Sequence, residues 1–142
     1  MKPMRTGGFT LLELMIGLAV AALLLSLAVP GYQQYLQRAR LEEAKAALLE
    51  NSHYMQRWYH ENGAYHQNGP LAWPDLPARS TAAFDIGFSS AKPTAENVEQ
   101  ASFIIEARPK PGAGLDEWLL KVDQDGTLRQ CRQEGEGEQC QR

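Results

Sequence analysis

Gly7-Gly8-Phe9-Thr10-Leu11-Leu12-Glu13 opens an apolar run, Leu14 to Val29, behind a short leader that carries Lys2 and Arg5. The run holds a single hydroxyl, Ser26, and Glu13 stands at its edge. From Phe9 to Val29 there are 21 positions, and a helix rising about 1.5 Å per residue covers roughly 30 Å over that length, the thickness of a bilayer's hydrocarbon core. The run can span. A secretory signal would place its small-residue cleavage site after the apolar part, whereas here the small pair Gly7-Gly8 precedes it, so a cut there leaves the hydrophobic helix on the mature chain. A carboxylate in such surroundings is costly unless it meets a cation at the same depth. Cleavage between Gly8 and Phe9 would supply one, because the new Phe9 amine lies four residues, one helical turn, from Glu13. The amine could pair with its own Glu13 or with a neighbour's. An ordinary single-span anchor is the alternative reading.

Working outward, Pro30-Gly31 is the first break, and a proline inside a helix removes one i→i−4 bond, which predicts a kink or loosened turn there. Beyond it Leu41, Ala44, Leu48, Asn51, Met55 and Trp58 recur at helical spacing, with Tyr54 and Tyr59 beside them. Arg38, Glu42, Glu43, Lys45, Glu50 and Arg57 occupy the opposite face. Gly63 is placed to cap the helix in the left-handed conformation. The stretch from Ala64 to Ala82, punctuated by Gly69-Pro70, Trp73-Pro74 and Leu76-Pro77, reads as a loop pinned by Trp73 and Leu76.

Strands follow. Phe84, Ile86 and Phe88 alternate with Asp85 and Gly87; Ser102–Arg108 and Glu117–Val122 give a second and a third strand. Asp123-Gln124-Asp125-Gly126 is a hairpin signal, returning as a shorter fourth strand from Thr127 to Cys131. The segment Ser89 to Gln100, with Lys92-Pro93, reads as a polar connection. The fold class is therefore α+β: a long N-terminal helix on a four-stranded antiparallel meander.

About 50 of the 142 residues go to the helix, leaving roughly 80 for a head near the small end of what buries its own core. The helix's second half must then serve as a wall. Cys131 and Cys140 lie beyond the export anchor, and an even cysteine count in an extracytoplasmic head reads as one disulfide. Such a ring restricts the unfolded chain by about 2.5–3 kcal/mol in the chain-entropy description; free thiols or a metal pair are the alternatives. Glu134, Glu136 and Glu138 gather inside the loop. The formal charge of −3 demands no nucleic acid.

No catalytic constellation emerges, and neither an enzyme nor a cofactor nor a metal is expected. His53 and His60 are seven apart, about 10 Å along a helix, too far to share a metal unaided, and His66 lies in the loop. Asp123 and Asp125 lack the rest of a calcium loop.

Gly8-Phe9-Thr10-Leu11-Leu12-Glu13 with the apolar run to Pro30 resembles the signal of type IV pilins. That resemblance implies cleavage after Gly8 by a prepilin peptidase, N-methylation of Phe9, and a Glu13 that meets Phe9 of an adjacent subunit. It divides the chain into a leader (1–8), a membrane and filament-core helix (9–30), an amphipathic helical half (31–62) and a globular head (63–142). The precursor would be a single-pass inner-membrane protein, later carried on a surface pilus with a major pilin and other pilins as partners.

The head is similar to minor pilins of the group that includes the competence pilin of Neisseria-type bacteria. The residues carrying this are Ala46-Ala47-Leu48-Leu49-Glu50-Asn51, Tyr54-Met55, Trp58-Tyr59, Asn62-Gly63, Trp73-Pro74-Asp75-Leu76-Pro77, the Phe103 and Trp118 strands and Cys131. The resemblance implies capture of extracellular double-stranded DNA for natural transformation, through basic loop positions held here by Arg79, Lys92 and Lys110, with Arg108 close by. Lys and Arg neutralise phosphates, and Arg can read guanine in the major groove. This chain departs from that group in two ways. Residues 62–142 hold 8 basic and 12 acidic side chains, net −4, and Asp85 stands where the group has a first-strand cysteine. A structural or adhesive minor pilin, or a secretion-system pseudopilin, are the alternatives.

Overall fold

The computed structural model describes residues 8–69, 71–134 and 137–141. The leader before Gly8, Pro70 and Glu136 lie outside the described residues. The chain divides into two compact units, with Leu36 closing the first and Gln37 opening the second.

Helix α1 runs Leu11–Asn62, and helical backbone continues unbroken through Pro30-Gly31. Thr10 starts it: the Glu13 backbone N–H donates to Thr10 Oγ1 at 3.3 Å, and Leu14 N–H to the Thr10 carbonyl at 3.2 Å. Glu13 thus occupies the first turn, where an acid complements the helix dipole. An 18-residue window near the N-terminus reaches a mean hydropathy of 2.4 with none of it buried, so by length and composition the helix can cross a membrane. At the other end Gly63 adopts φ +73°, and its N–H donates to the Tyr59 carbonyl at 2.7 Å, the left-handed cap expected there.

In the second unit, strands β1 (Phe84–Phe88), β2 (Ile104–Pro109), β3 (Trp118–Asp123), β4 (Leu128–Glu134) and β5 (Gly137–Gln141) form one antiparallel sheet in chain order. The expected meander stands, but it has five strands, not four. The C-terminal loop is itself a hairpin, with Cys131 and Cys140 bonded as a directly opposed cross-strand pair. The fourth strand is also not the short one: at seven residues it exceeds each of the others. The polar connection contains a one-turn helix, α2 (Ala95–Glu99), begun by a Thr94–Asn97 capping box.

Register explains the core. Phe84 and Ile86 on β1, Ile105 and Ala107 on β2, and Leu120 and Val122 on β3 share one face and are buried with Ala44, Leu48 and Met55 of α1, Phe103 and Leu115. Leu41 and Trp58, at the ends of the helical stripe, are half-buried. Asn51, polar within that stripe, is fully buried and clamps the loop: its Nδ2 donates to the Ala78 carbonyl (2.6 Å) and its Oδ1 accepts from Ala78 N–H (3.0 Å). A buried amide satisfied at both ends is stabilising, and the same amide left unpaired is not. Tyr65 packs edge-on against Phe103; burial first, then Tyr59 and Asp125, push its hydroxyl pKa above the ordinary value.

Candidate nucleic-acid interface

The sequence singles out Arg79, Lys92, Arg108 and Lys110, and the fold gathers all four around β1, an edge strand of the sheet. Ile86 N–H donates to the Arg79 carbonyl at 2.8 Å, and Ser80 bridges to Asp85, so Arg79 runs alongside β1. Arg108 lies on β2, directly opposite Asp85 of β1. Lys110 follows the end of β2, its N–H donating to the Ala83 carbonyl at 2.8 Å.

A cleft of about 370 Å³ lies at this margin, with Trp73, Asp75, Arg79, Phe88 and Lys92 among its walls. Its floor is rigid. Trp73 and Phe88 stack at 4.4 Å with 8° between ring planes, and the Trp73 indole N–H donates to the Ser90 carbonyl at 3.0 Å. Two prolines restrict the loop further: Pro74 is buried and Pro77 exposed. Leu76 is buried, so the pinning residues expected from the sequence are the ones that anchor this loop.

The four cations differ in how free they are. Arg79 Nη2 meets Asp75 Oδ1 at 2.6 Å, with both side chains mostly in water. Arg108 donates through Nε (3.1 Å) and Nη2 (2.8 Å) to Glu106 Oε2. Glu106 in turn faces Lys121 at 3.6 Å, and Lys121 faces Glu138 at 3.0 Å. That ladder crosses the outer sheet face and pairs Arg108, whose side chain stays 63% exposed. Lys110 Nζ donates to Ser80 Oγ and to the Thr81 carbonyl, both at 2.7 Å, with Asp85 Oδ1 at 3.8 Å. Lys92 is exposed and has no ion pair among the described residues. The sequence did not reveal these partners. Asp75 precedes Arg79 by four positions and could have been flagged, but Ser80 lies thirty residues from Lys110, and no local pattern joins them.

Comparison with known proteins fits this architecture. Residues 30–131 match the family described as type IV minor pilin ComP, DNA uptake sequence receptor. The chain belongs to that minor-pilin family. Residues 3–29 of this minor pilin match the prokaryotic N-terminal methylation motif. It is 36% identical over 63 residues to the type IV major pilin protein PilE1 of Neisseria gonorrhoeae, covering 44% of this chain and 29% of that one. With a fimbrial protein of Moraxella nonliquefaciens it shares 51% identity over 37 residues, 26% of this chain and 24% of the relative. The minor pilin thus spans well under half the length of these relatives. Its fold is similar to the crystal structure of the non-core minor pilin PilV of Neisseria meningitidis, with a TM-score of 0.52 at 20% identity over 70% of this chain and 91% of that one.

Proposed function

We propose that this minor pilin is assembled into type IV pili and captures extracellular double-stranded DNA for natural transformation. The reading rests on the match of residues 30–131 to a family described as a DNA uptake sequence receptor. It draws support from the exposed Arg79 and Lys92 on one cleft at the β1 margin. Arg79, Lys92 and Arg108 are the cations assigned to DNA; the part of Lys110 is taken up below. Before assembly the precursor sits in the inner membrane by its apolar helix. A prepilin peptidase cuts between Gly8 and Phe9 and methylates the Phe9 amine, and Glu13 pairs with that amine on a neighbouring subunit. No catalytic role is assigned.

The test is a gel shift of the full chain in nonionic detergent against sheared genomic duplex across a salt series. With about three phosphate contacts, affinity should fall roughly 40-fold between about 50 and 200 mM salt. The double variant Arg79→Ala, Lys92→Ala should flatten the log–log slope by about 2. The net charge of −4 over residues 62–142 favours a second reading, a minor pilin that primes or modifies filaments without touching DNA. Binding that is undetectable at low salt would leave that reading standing and remove the first.

A further inference from the structure

We propose that Lys110 is a positioning residue, which holds the Arg79 turn for DNA and makes no phosphate contact of its own; this rests on the DNA reading above. An ammonium has three N–H donors. Two of them are engaged, on Ser80 Oγ and the Thr81 carbonyl at 2.7 Å each, and the group faces Asp85 Oδ1 at 3.8 Å. The side chain is only 34% exposed, against 62% for Arg79.

The backbone does the same work as the side chain. Lys110 N–H donates to Ala83 O (2.8 Å), so both ends of one residue grip the segment from Ser80 to Ala83. That segment closes on itself through Thr81 N–H to the Phe84 carbonyl (2.8 Å) and Phe84 N–H to Thr81 Oγ1 (3.1 Å). Arg79 is the residue immediately before it, with its own carbonyl tied to Ile86 N–H. A turn fastened at each end sets the Arg79 guanidinium at the exposed margin, where Asp75 (2.6 Å) and the Leu76 carbonyl (3.3 Å from Nε) hold it. Swinging Lys110 out to a phosphate would break both of its bonds to the turn, leaving the Thr81 carbonyl only the 3.3 Å bond from Ser80 Oγ. It would also withdraw the ammonium from Asp85, costs that Lys92, with no ion pair among the described residues, does not incur.

Salt dependence separates the two roles, because each lost phosphate contact flattens the slope by about 0.9 whereas a displaced scaffold lowers affinity through fit. The full chain in nonionic detergent, as Lys110→Ala and as Ser80→Ala, is titrated with sheared genomic duplex, and amide exchange is followed from Thr81 to Phe84. Both variants should bind about tenfold more weakly at fixed salt, the size of one lost arginine contact. Their slopes should stay parallel to the parent's and their exchange at Thr81–Phe84 should be faster. Ser80→Ala keeps the Lys110 charge and deletes one of its two side-chain bonds to the turn, so it loosens the clamp without removing a cation. A slope flattened by about 0.9 in Lys110→Ala, with Ser80→Ala binding like the parent, would overturn the proposal and make Lys110 a contact. A parent chain that binds no duplex at low salt would instead remove the DNA reading itself.

Discussion

The two halves of α1 are built from similar apolar residues and end in opposite surroundings. Every side chain described from Leu11 to Tyr35 is exposed, including Leu14, Ile16, Leu23 and Leu25. In the second half Ala44, Leu48, Asn51 and Met55 are fully buried. The difference is burial: the second half packs into the head's core, and the described side chains of the first half are exposed. Leu48 has Phe103, Ile105 and Val122 in its cluster, whereas Leu24 is 62% exposed. Residues with internal partners therefore report through stability, and those without report through assembly or binding. Arg79 is a mixed case, with an internal partner in Asp75 and a proposed external one in DNA.

Leu48→Ala should give the largest effect. Removing a fully buried leucine leaves a cavity as well as losing transfer energy, about 2–5 kcal/mol, read as a lowered urea midpoint for the head. Leu24→Ala should leave that midpoint where it is. Equal losses from the two would break the contrast, since they would mean that the head's stability draws on the apolar half.

Asn51→Ala comes next and sharpens the same comparison inside the core. It deletes both hydrogen bonds to Ala78 and strands a backbone donor and acceptor, at about 1–3 kcal/mol. Protease cleavage between Leu71 and Arg79 should accelerate alongside the lower midpoint. A faster cut with an unchanged midpoint would assign Asn51 to the loop alone.

What could be read from the chain follows the same division. Helix periodicity found the buried face of α1 because its signal is local, and the alternation of Phe84, Ile86 and Phe88 found β1 for the same reason. β5 escaped because Gly137-Glu138-Gln139-Cys140-Gln141 has weak strand propensity. It is held by pairing with β4, by the disulfide and by Lys121 to Glu138. α2 escaped because five residues carry no period, although Thr94 with Asn97 was a legible cap. At Pro30, where one missing N–H was expected to kink or loosen a turn, the helical backbone continues on both sides. The four cations were named through the resemblance to minor pilins. Their partners were not, since an ion pair such as Lys110 to Asp85 depends on how distant segments meet.

Asp75→Asn should produce the smallest change and the one most informative about Arg79. The Asp75 carboxylate lies 2.6 Å from the guanidinium, yet it is 89% exposed and Arg79 62% exposed, so water screens most of their attraction. The midpoint should therefore stay put. Affinity for duplex should rise about two- to fivefold at low salt, because an exposed pair is worth a small factor and the variant removes both the competitor for Arg79 and a charge that repels phosphate. The salt slope should not change, since the number of phosphate contacts is the same. Weaker binding in Asp75→Asn would reverse the assignment, making Asp75 the residue that aims the guanidinium and turning its internal partnership into part of the DNA site.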